Sequence, residues 1–233
     1  MRKLFVAIGI LASTVLCAPA NAQDKSWTGF YVGAHGAYSG FDQEFPGAPP
    51  HPKGPPRMDL SGGMLGGQIG YNHQIGGIVV GIEGDYSRGH MTETVRDGNY
   101  ITQTGEIDWT GTLRGRLGLA LGNFMPYATV GYMWAGASYN QTCPEKAAAP
   151  FGHCNKADKY SITKEQTHGG VVYGFGSEYA VSRNFSIKAE GLWFSLKEET
   201  YAMGNAPLSG VAVGNKPIEY DGFMFRIGGN YRF

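Results

Sequence analysis

The chain has 233 residues, a length suited to one domain, and its 19 basic and 19 acidic side chains cancel, so no net field draws it to nucleic acid. Its 37 glycines are about twice the usual share and exclude long helices, since each costs about 1 kcal/mol inside one. The first element in chain order is a leader. Arg2 and Lys3 give a positive start, Leu4 to Leu16 is almost wholly apolar, and Ala20-Asn21-Ala22 supplies the small-x-small cleavage pattern. The apolar run is shorter than the roughly 20 residues that a membrane helix needs. Cleavage is therefore expected after Ala22, giving a leader over 1–22 and a mature domain over 23–233, slightly acidic once Arg2 and Lys3 are lost. A lipoprotein reading of Cys17 is poor, because Leu16 stands where a small residue belongs.

Eight segments then alternate with period two, at 27–40, 61–75, 78–88, 105–120, 126–139, 167–180, 185–196 and 221–233. Their connections alternate in length. Gly76-Gly77, Leu121 to Phe124 and Val181 to Asn184 are short, whereas 41–60, 89–104, 140–166 and 197–220 are long. Short turns at one end and long loops at the other are the habit of an outer-membrane barrel, with short turns and both termini in the periplasm. No stretch after the leader is a membrane helix, and only helices and closed barrels satisfy their backbone in lipid. The expected fold class is all-β, an eight-stranded antiparallel transmembrane barrel with four long extracellular loops.

The faces agree with this. In the fourth segment Ile107, Trp109, Leu113, Leu117 and Leu119 oppose Glu106, Asp108, Thr110, Thr112, Arg114 and Arg116. In the third, Ile78, Val80, Ile82 and Tyr86 oppose Glu83 and Asp85. In the sixth, Val171, Tyr173, Phe175 and Tyr179 oppose His168 and Glu178, and in the last Phe223, Phe225, Ile227, Tyr231 and Phe233 oppose Arg226, Asn230 and Arg232. Apolar groups face lipid and charges face inward. The outward aromatics also sort by height, Phe30, Tyr71, Tyr179, Tyr231 and Phe233 near the short turns, Tyr38, Tyr86, Trp109, Trp134, Trp193 and Phe223 near the long loops.

The ordered set Trp27-Thr28-Gly29-Phe30-Tyr31-Val32-Gly33, Gly81-Ile82-Glu83-Gly84-Asp85, Gly111-Thr112-Leu113-Arg114-Gly115-Arg116-Leu117-Gly118, Met125-Pro126-Tyr127, Glu178-Tyr179 and Arg226-Ile227-Gly228-Gly229-Asn230-Tyr231-Arg232-Phe233 resembles the small outer-membrane surface-antigen and porin-family barrels of alphaproteobacteria. The likeness spans nearly all of the mature chain and is weak in the long loops. It implies an architecture similar to the OmpA/OmpX-type eight-stranded barrels, and residence among outer-membrane lipids. It also implies a C-terminal signal at Tyr231 and Phe233 for the barrel-assembly machinery. Members of this family are described as abundant envelope components, surface antigens and sometimes haem-binding proteins.

Chemistry is sparse. There is no phosphate-cradling Gly-Lys-Ser/Thr loop and no zinc-binding His-Glu-x-x-His, and the histidines at 35, 51, 73, 90, 153 and 168 are scattered. His90 with Glu93 and Asp97 is the best acid–base grouping, but a polar surface loop accounts for it more simply. The Pro-rich run from Phe45 to Arg57 reads as a stiff surface loop before it reads as a polyproline ligand. Cys143 and Cys154, an even count in an exported chain, predict a disulfide; zinc with His153 would need tighter spacing and four ligands. No catalytic residue, metal or cofactor is assigned.

The inward charges carry more. Glu83, Arg116, Glu178, Lys188 and Arg226 each stand about five to seven residues from the middle of a short turn or from the C-terminus. At a ~3.3 Å rise and a tilt near ~40° they share one level roughly 13–18 Å above the periplasmic end. Asp85, Arg114 and Glu190 are one step away. A barrel of this size has room only for side chains. The expectation is therefore an internal charge network that closes the lumen of a structural envelope protein. The alternatives are a diffusion porin for small solutes and a surface protein whose loops take haem, another extracellular ligand or a host surface.

Overall fold

The computed structural model describes residues 26–45, 58–97, 101–143, 160–205 and 213–233. The predicted leader, Cys17, Cys154 and all but the first residue of the Pro-rich run lie outside the described residues. Eight strands follow in order: β1 (Gly29–Glu44), β2 (Met58–Ile75), β3 (Ile78–Asp97), β4 (Ile101–Leu119), β5 (Phe124–Cys143), β6 (Tyr160–Ala180), β7 (Phe185–Ala202) and β8 (Asn215–Arg232). Each pairs antiparallel with the next, and β8 returns to β1 from Tyr31↔Arg232 to Glu44↔Glu219. Closure removes the edge strands that lipid could not satisfy.

Alternation is the cause of the two surfaces. On β4, Leu113 and Leu117 are 50% and 58% exposed, while Arg114 and Arg116 between them are 1% and 5% exposed. The apolar side is therefore outside and the charged side inside, the reverse of a water-soluble barrel. Glycine closes two of the short turns. Gly76 has φ +60° between the paired residues Ile75 and Ile78, and Gly122 has φ +63° between the bridged residues Leu121 and Phe124. A two-residue hairpin needs a left-handed residue at this point, which glycine adopts without steric cost.

The strands run 16 to 21 residues, well past the roughly 9–11 that cross a bilayer. This corrects the predicted loops. Most of 89–104 is strand, with Val95 paired to Gln103 and Asp97 to Ile101. The other three predicted loops are likewise entered by strand on both sides, to Glu44, Cys143 and Ala202 and from Met58, Tyr160 and Asn215. The extensions persist because their inward face is apolar: Phe41, Met58, Leu60, Met91, Ile107, Tyr139, Tyr201, Ile218 and Tyr220 form one buried cluster inside the outer half of the barrel.

A second correction concerns Ile107, expected to face lipid and in fact fully buried in that cluster. The register shifts between Ile107 and Trp109, where Asp108 is an extra residue against β5. One inserted residue reverses every face beyond it. Ile107 therefore turns in, and Glu106, expected inside, turns out to accept a hydrogen bond from Ser138 Oγ at 3.3 Å.

The interior is layered. Trp27, Val79, Met125, Tyr127 and Ala180 make a small apolar plug at the periplasmic end, and the larger cluster fills the extracellular end. The charged residues lie between them. Outside, Tyr86 stacks on Trp109 with centroids 6.0 Å apart, and Trp193 contacts Tyr173 and Phe223 at 6.3 and 5.1 Å. These aromatics form a girdle near the extracellular edge of the apolar band.

Candidate functional site inside the barrel

The middle layer is built by parity. Inward positions of β3 carry Glu83 and Asp85, those of β4 carry Arg114 and Arg116, β6 supplies Glu178, β7 supplies Lys188 and Glu190, and β8 supplies Arg226. All of these but Asp85 are at most 5% exposed as whole residues, and the Asp85 side chain itself is wholly buried. Four carboxylates therefore meet four cations in a buried layer with apolar clusters on both sides.

Glu83 is the hub. Lys188 Nζ donates to Glu83 Oε1 at 2.8 Å and Oε2 at 2.9 Å, and Arg114 Nη2 donates to Oε1 at 2.6 Å. Tyr31 Oη donates to Oε2 at 2.9 Å, and Arg116 Nη1 adds a longer contact to Oε2 at 3.3 Å. These five contacts use the full accepting capacity of a carboxylate. Arg114 then extends outward, with Nη1 on Glu190 Oε1 at 2.8 Å and Nη2 on Asp85 Oδ2 at 3.0 Å, while Thr112 Oγ1 also donates to Asp85. Arg116 extends toward the periplasm, with Nη2 on Glu178 Oε2 at 2.9 Å and its guanidinium 4.0 Å from the Tyr127 ring centre.

Glu178 joins this ion cluster to a neutral chain. Its Oε1 accepts from Ser186 Oγ at 2.5 Å and from Asn230 Nδ2 at 3.0 Å. Gln68 Nε2 donates to Asn230 Oδ1 at 2.8 Å; Gln68 Oε1 faces His35 Nδ1, and His35 Nε2 lies 2.7 Å from Ser87 Oγ. With the Gln68 oxygen as acceptor, His35 carries its proton on Nδ1 and accepts from Ser87 at Nε2. Every strand contributes at least one member, β5 through Tyr127, whose Oη donates to Glu190 Oε1 at 3.1 Å.

Arg226 is held differently. Its Nη1 lies 2.9 Å from Asp85 Oδ2 and 4.0 Å from Glu190 Oε2, yet neither Nη1 nor Nη2 has a hydrogen-bond partner among the described residues. The N–H directions miss the oxygens, so this end of the network is an ion contact without directed bonds. Only Nε has a partner, Met224 Sδ at 3.0 Å.

The structure thus brings together all eight charged residues assigned to the lumen. Sequence reading missed the neutral members Tyr31, His35, Gln68, Thr112, Tyr127, Ser186 and Asn230 as partners; extending the inward parity of β1, β2 and β5 would have found Tyr31, His35, Gln68 and Tyr127. His90 and Glu93 are not brought together. His90 is on the outer face, 3.4 Å from Asp108 Oδ1, while Glu93 pairs with Gly105 on the inner side. Cys143 ends β5 and is buried, and its expected partner Cys154 lies outside the described residues. Tyr231 and Phe233 are outward, their rings 5.4 Å apart.

A closed antiparallel barrel with an apolar exterior, aromatic girdle, short turns at one end and a charged interior defines a membrane-spanning barrel protein of the bacterial outer membrane. The chain belongs to the outer membrane protein beta-barrel domain family, whose model matches residues 8–233. It is 27% identical over 256 aligned positions to the 31 kDa outer-membrane immunogenic protein of Brucella melitensis biotype 1, covering 100% of this chain and 97% of that protein. It is 26% identical to the 22 kDa outer membrane protein of Rhizobium leguminosarum bv. viciae, over 79% of this chain and 71% of that one. Among solved structures, the outer membrane protein OprG of Pseudomonas aeruginosa is similar with a TM-score of 0.45 and 15% identity, covering 88% of this chain and 96% of OprG.

Proposed function

We propose that the protein is a closed, non-catalytic barrel that strengthens the outer membrane and carries four hairpins outward, with its lumen held shut by the charge network. The observation that carries this is the bridge from Lys188 to Glu83. β3 and β7 are four places apart in a ring of eight, so the bridge spans the lumen from wall to opposite wall. Apolar layers above and below it keep water from the ions. An ion crossing the barrel would have to break such pairs in a dry interior, where the uncompensated charge is costly.

Presentation of the outward hairpins is supported by the strands' length beyond the bilayer and by the Brucella relative, which is named as immunogenic. The outward aromatic ending at Tyr231 and Phe233 is proposed as the contact read during insertion by the barrel-assembly machinery. Planar-bilayer recording of the purified protein tests the closed lumen. Rare, small conductance steps are expected, and a stable open channel would replace this reading by a diffusion porin.

A further inference from the structure

The outer wall of the barrel is not uniform. On β5, β6 and β8 an outward glycine is covered by a neighbouring aromatic: a Cβ on Gly136 would meet the Trp109 indole at 2.0 Å, one on Gly169 the Tyr132 ring at 2.7 Å, and one on Gly229 the Phe185 ring at 3.0 Å. On the other half of the wall such glycines are open, Gly84 of β3 and Gly115 of β4 bringing a Cβ no nearer than 3.8 Å to a neighbour, and β1 and β2 hold three that cluster. A Cβ on Gly40 would meet nothing within 4 Å, one on Gly36 only a Leu65 methyl at 3.9 Å, and one on Gly63 only the Ala37 carbonyl at 3.9 Å. None of these three has the positive φ that would itself demand glycine. The consequence is a groove of about 530 Å³ in the lipid-facing wall, with Gly36 and Gly63 as its floor and Tyr38, Leu65 and Phe225 among its walls.

Arg88 closes the groove at its extracellular end. It stands two residues beyond the girdle residue Tyr86, on the outer face and exposed, with no hydrogen bond or ion pair from its side chain among the described residues. The nearest outward carboxylate, Asp108, adjoins Trp109, the register partner of Arg88, but it faces His90 at 3.4 Å and makes no ion pair with Arg88 among the described residues; the other outward aspartates are remote. Asp42 and Asp59 lie six residues further along β1 and β2 than Gly36 and Leu65, and Leu65 is the residue in register with Arg88, so about 20 Å of strand separates them.

We propose that this groove is a binding site for a phosphorylated lipid, with one acyl chain lying over the Gly36–Gly63 floor and the headgroup phosphate on the Arg88 guanidinium. The two halves of the site match the two halves of such a molecule. The groove offers apolar walls at chain depth, and Arg88 offers a planar, permanently charged donor at headgroup depth, where a phosphate oxygen can accept two parallel N–H bonds. A neutral lipid fills the groove but leaves the cation without a partner; a free phosphate meets the cation but leaves the groove without apolar contacts.

The test uses the full mature barrel in detergent, with heat-modifiable migration on gels to verify that each variant is folded, and native mass spectrometry to count bound lipid. The probes are phosphorylated lipid A, the same lipid with its phosphates removed, and inorganic phosphate. Wild type should retain the phosphorylated lipid. Arg88→Gln should lower its occupancy about tenfold, the loss expected for one charge-assisted contact. Gly63→Leu should lower it similarly by filling the groove, with Gly36→Val as a second filling variant if the first does not fold. Leu117→Ala, on β4 away from the groove, should keep wild-type binding. Wild-type occupancy in folded Arg88→Gln or in a folded filled variant would overturn the proposal. So would equal retention of the dephosphorylated lipid, or displacement of the lipid by an equal concentration of inorganic phosphate.

Discussion

Lys188 and Glu83 are 105 residues apart in sequence and stand on opposite walls of the barrel, yet Lys188 Nζ contacts both oxygens of the carboxylate, at 2.8 and 2.9 Å. No local preference produces this pair. It exists because closure of the ring brings two inward positions to one height, and because Arg114 and Arg116 hold the same carboxylate from a third strand.

The hub position predicts a ranking. Glu83→Ala strands three cations, whereas Glu178→Ala strands chiefly Arg116, so Glu83→Ala should be the more damaging. Removing one partner of a buried pair typically costs about 3–5 kcal/mol. Urea unfolding in lipid or detergent should show both midpoints lowered, Glu83→Ala further. A Glu83→Ala midpoint equal to that of wild type would show that the network contributes nothing to stability.

Charge balance predicts partial rescue. Glu83→Gln alone leaves an excess cation in the buried layer. Combining it with Lys188→Met restores equal numbers, three of each sign. The double variant should therefore be more stable than Glu83→Gln alone, with a coupling of about 0.5–3 kcal/mol in the double-mutant cycle. Additive effects would mean that the two residues do not sense each other.

Opening the lumen is a separate expectation. Arg116 joins Glu83 to Glu178 and lies against the Tyr127 ring, so Arg116→Ala removes a bulky plug together with a charge. Ion leakage in planar bilayers should rise. Leu117→Ala, one residue along and facing lipid, should not raise it. If wild type already conducts steadily and Arg116→Ala alters only ion selectivity, the closed-barrel proposal fails.

The bulge at Asp108 predicts accessibility. Cysteine placed at Ile107 should resist water-soluble thiol reagents in the folded barrel, although simple alternation would put it on the outer wall. Ile107→Ala should also cost about 2–5 kcal/mol as a core cavity. Rapid labelling of the Ile107→Cys variant would contradict the reversed face. These measurements need Cys143 and Cys154 replaced or oxidised beforehand.

The disulfide proposal has its own test. Mass spectrometry of non-reduced peptides from outer-membrane material should find Cys143 joined to Cys154. A ring of that size restrains the unfolded chain by about 3 kcal/mol in the entropic model. Both thiols found free would dispose of the bond.

The sequence by itself determined what is local. Period-two alternation set which side chains of β3, β6 and β8 face inward, glycine at Gly76 and Gly122 set the tight turns, and the outward aromatics marked the membrane's edges. Charges on the inner parity of five strands also told that ions would meet inside. What tertiary structure alone decided is non-local. The phase reversal at Asp108 depends on how β4 registers against β5, and no residue type at that position announces it. Continuation of strands through 89–97 and 101–104 depends on burying Met91 and Ile107 against the far wall, an apolar layer that exists only once the ring is closed. Which carboxylate meets which cation depends on the same closure, because relative heights across the lumen are set by the stagger accumulated over several strands and not by any one of them. The bare groove beneath Arg88 is of this kind too: the glycines are visible in the sequence, but which of them a neighbouring aromatic covers is decided by register.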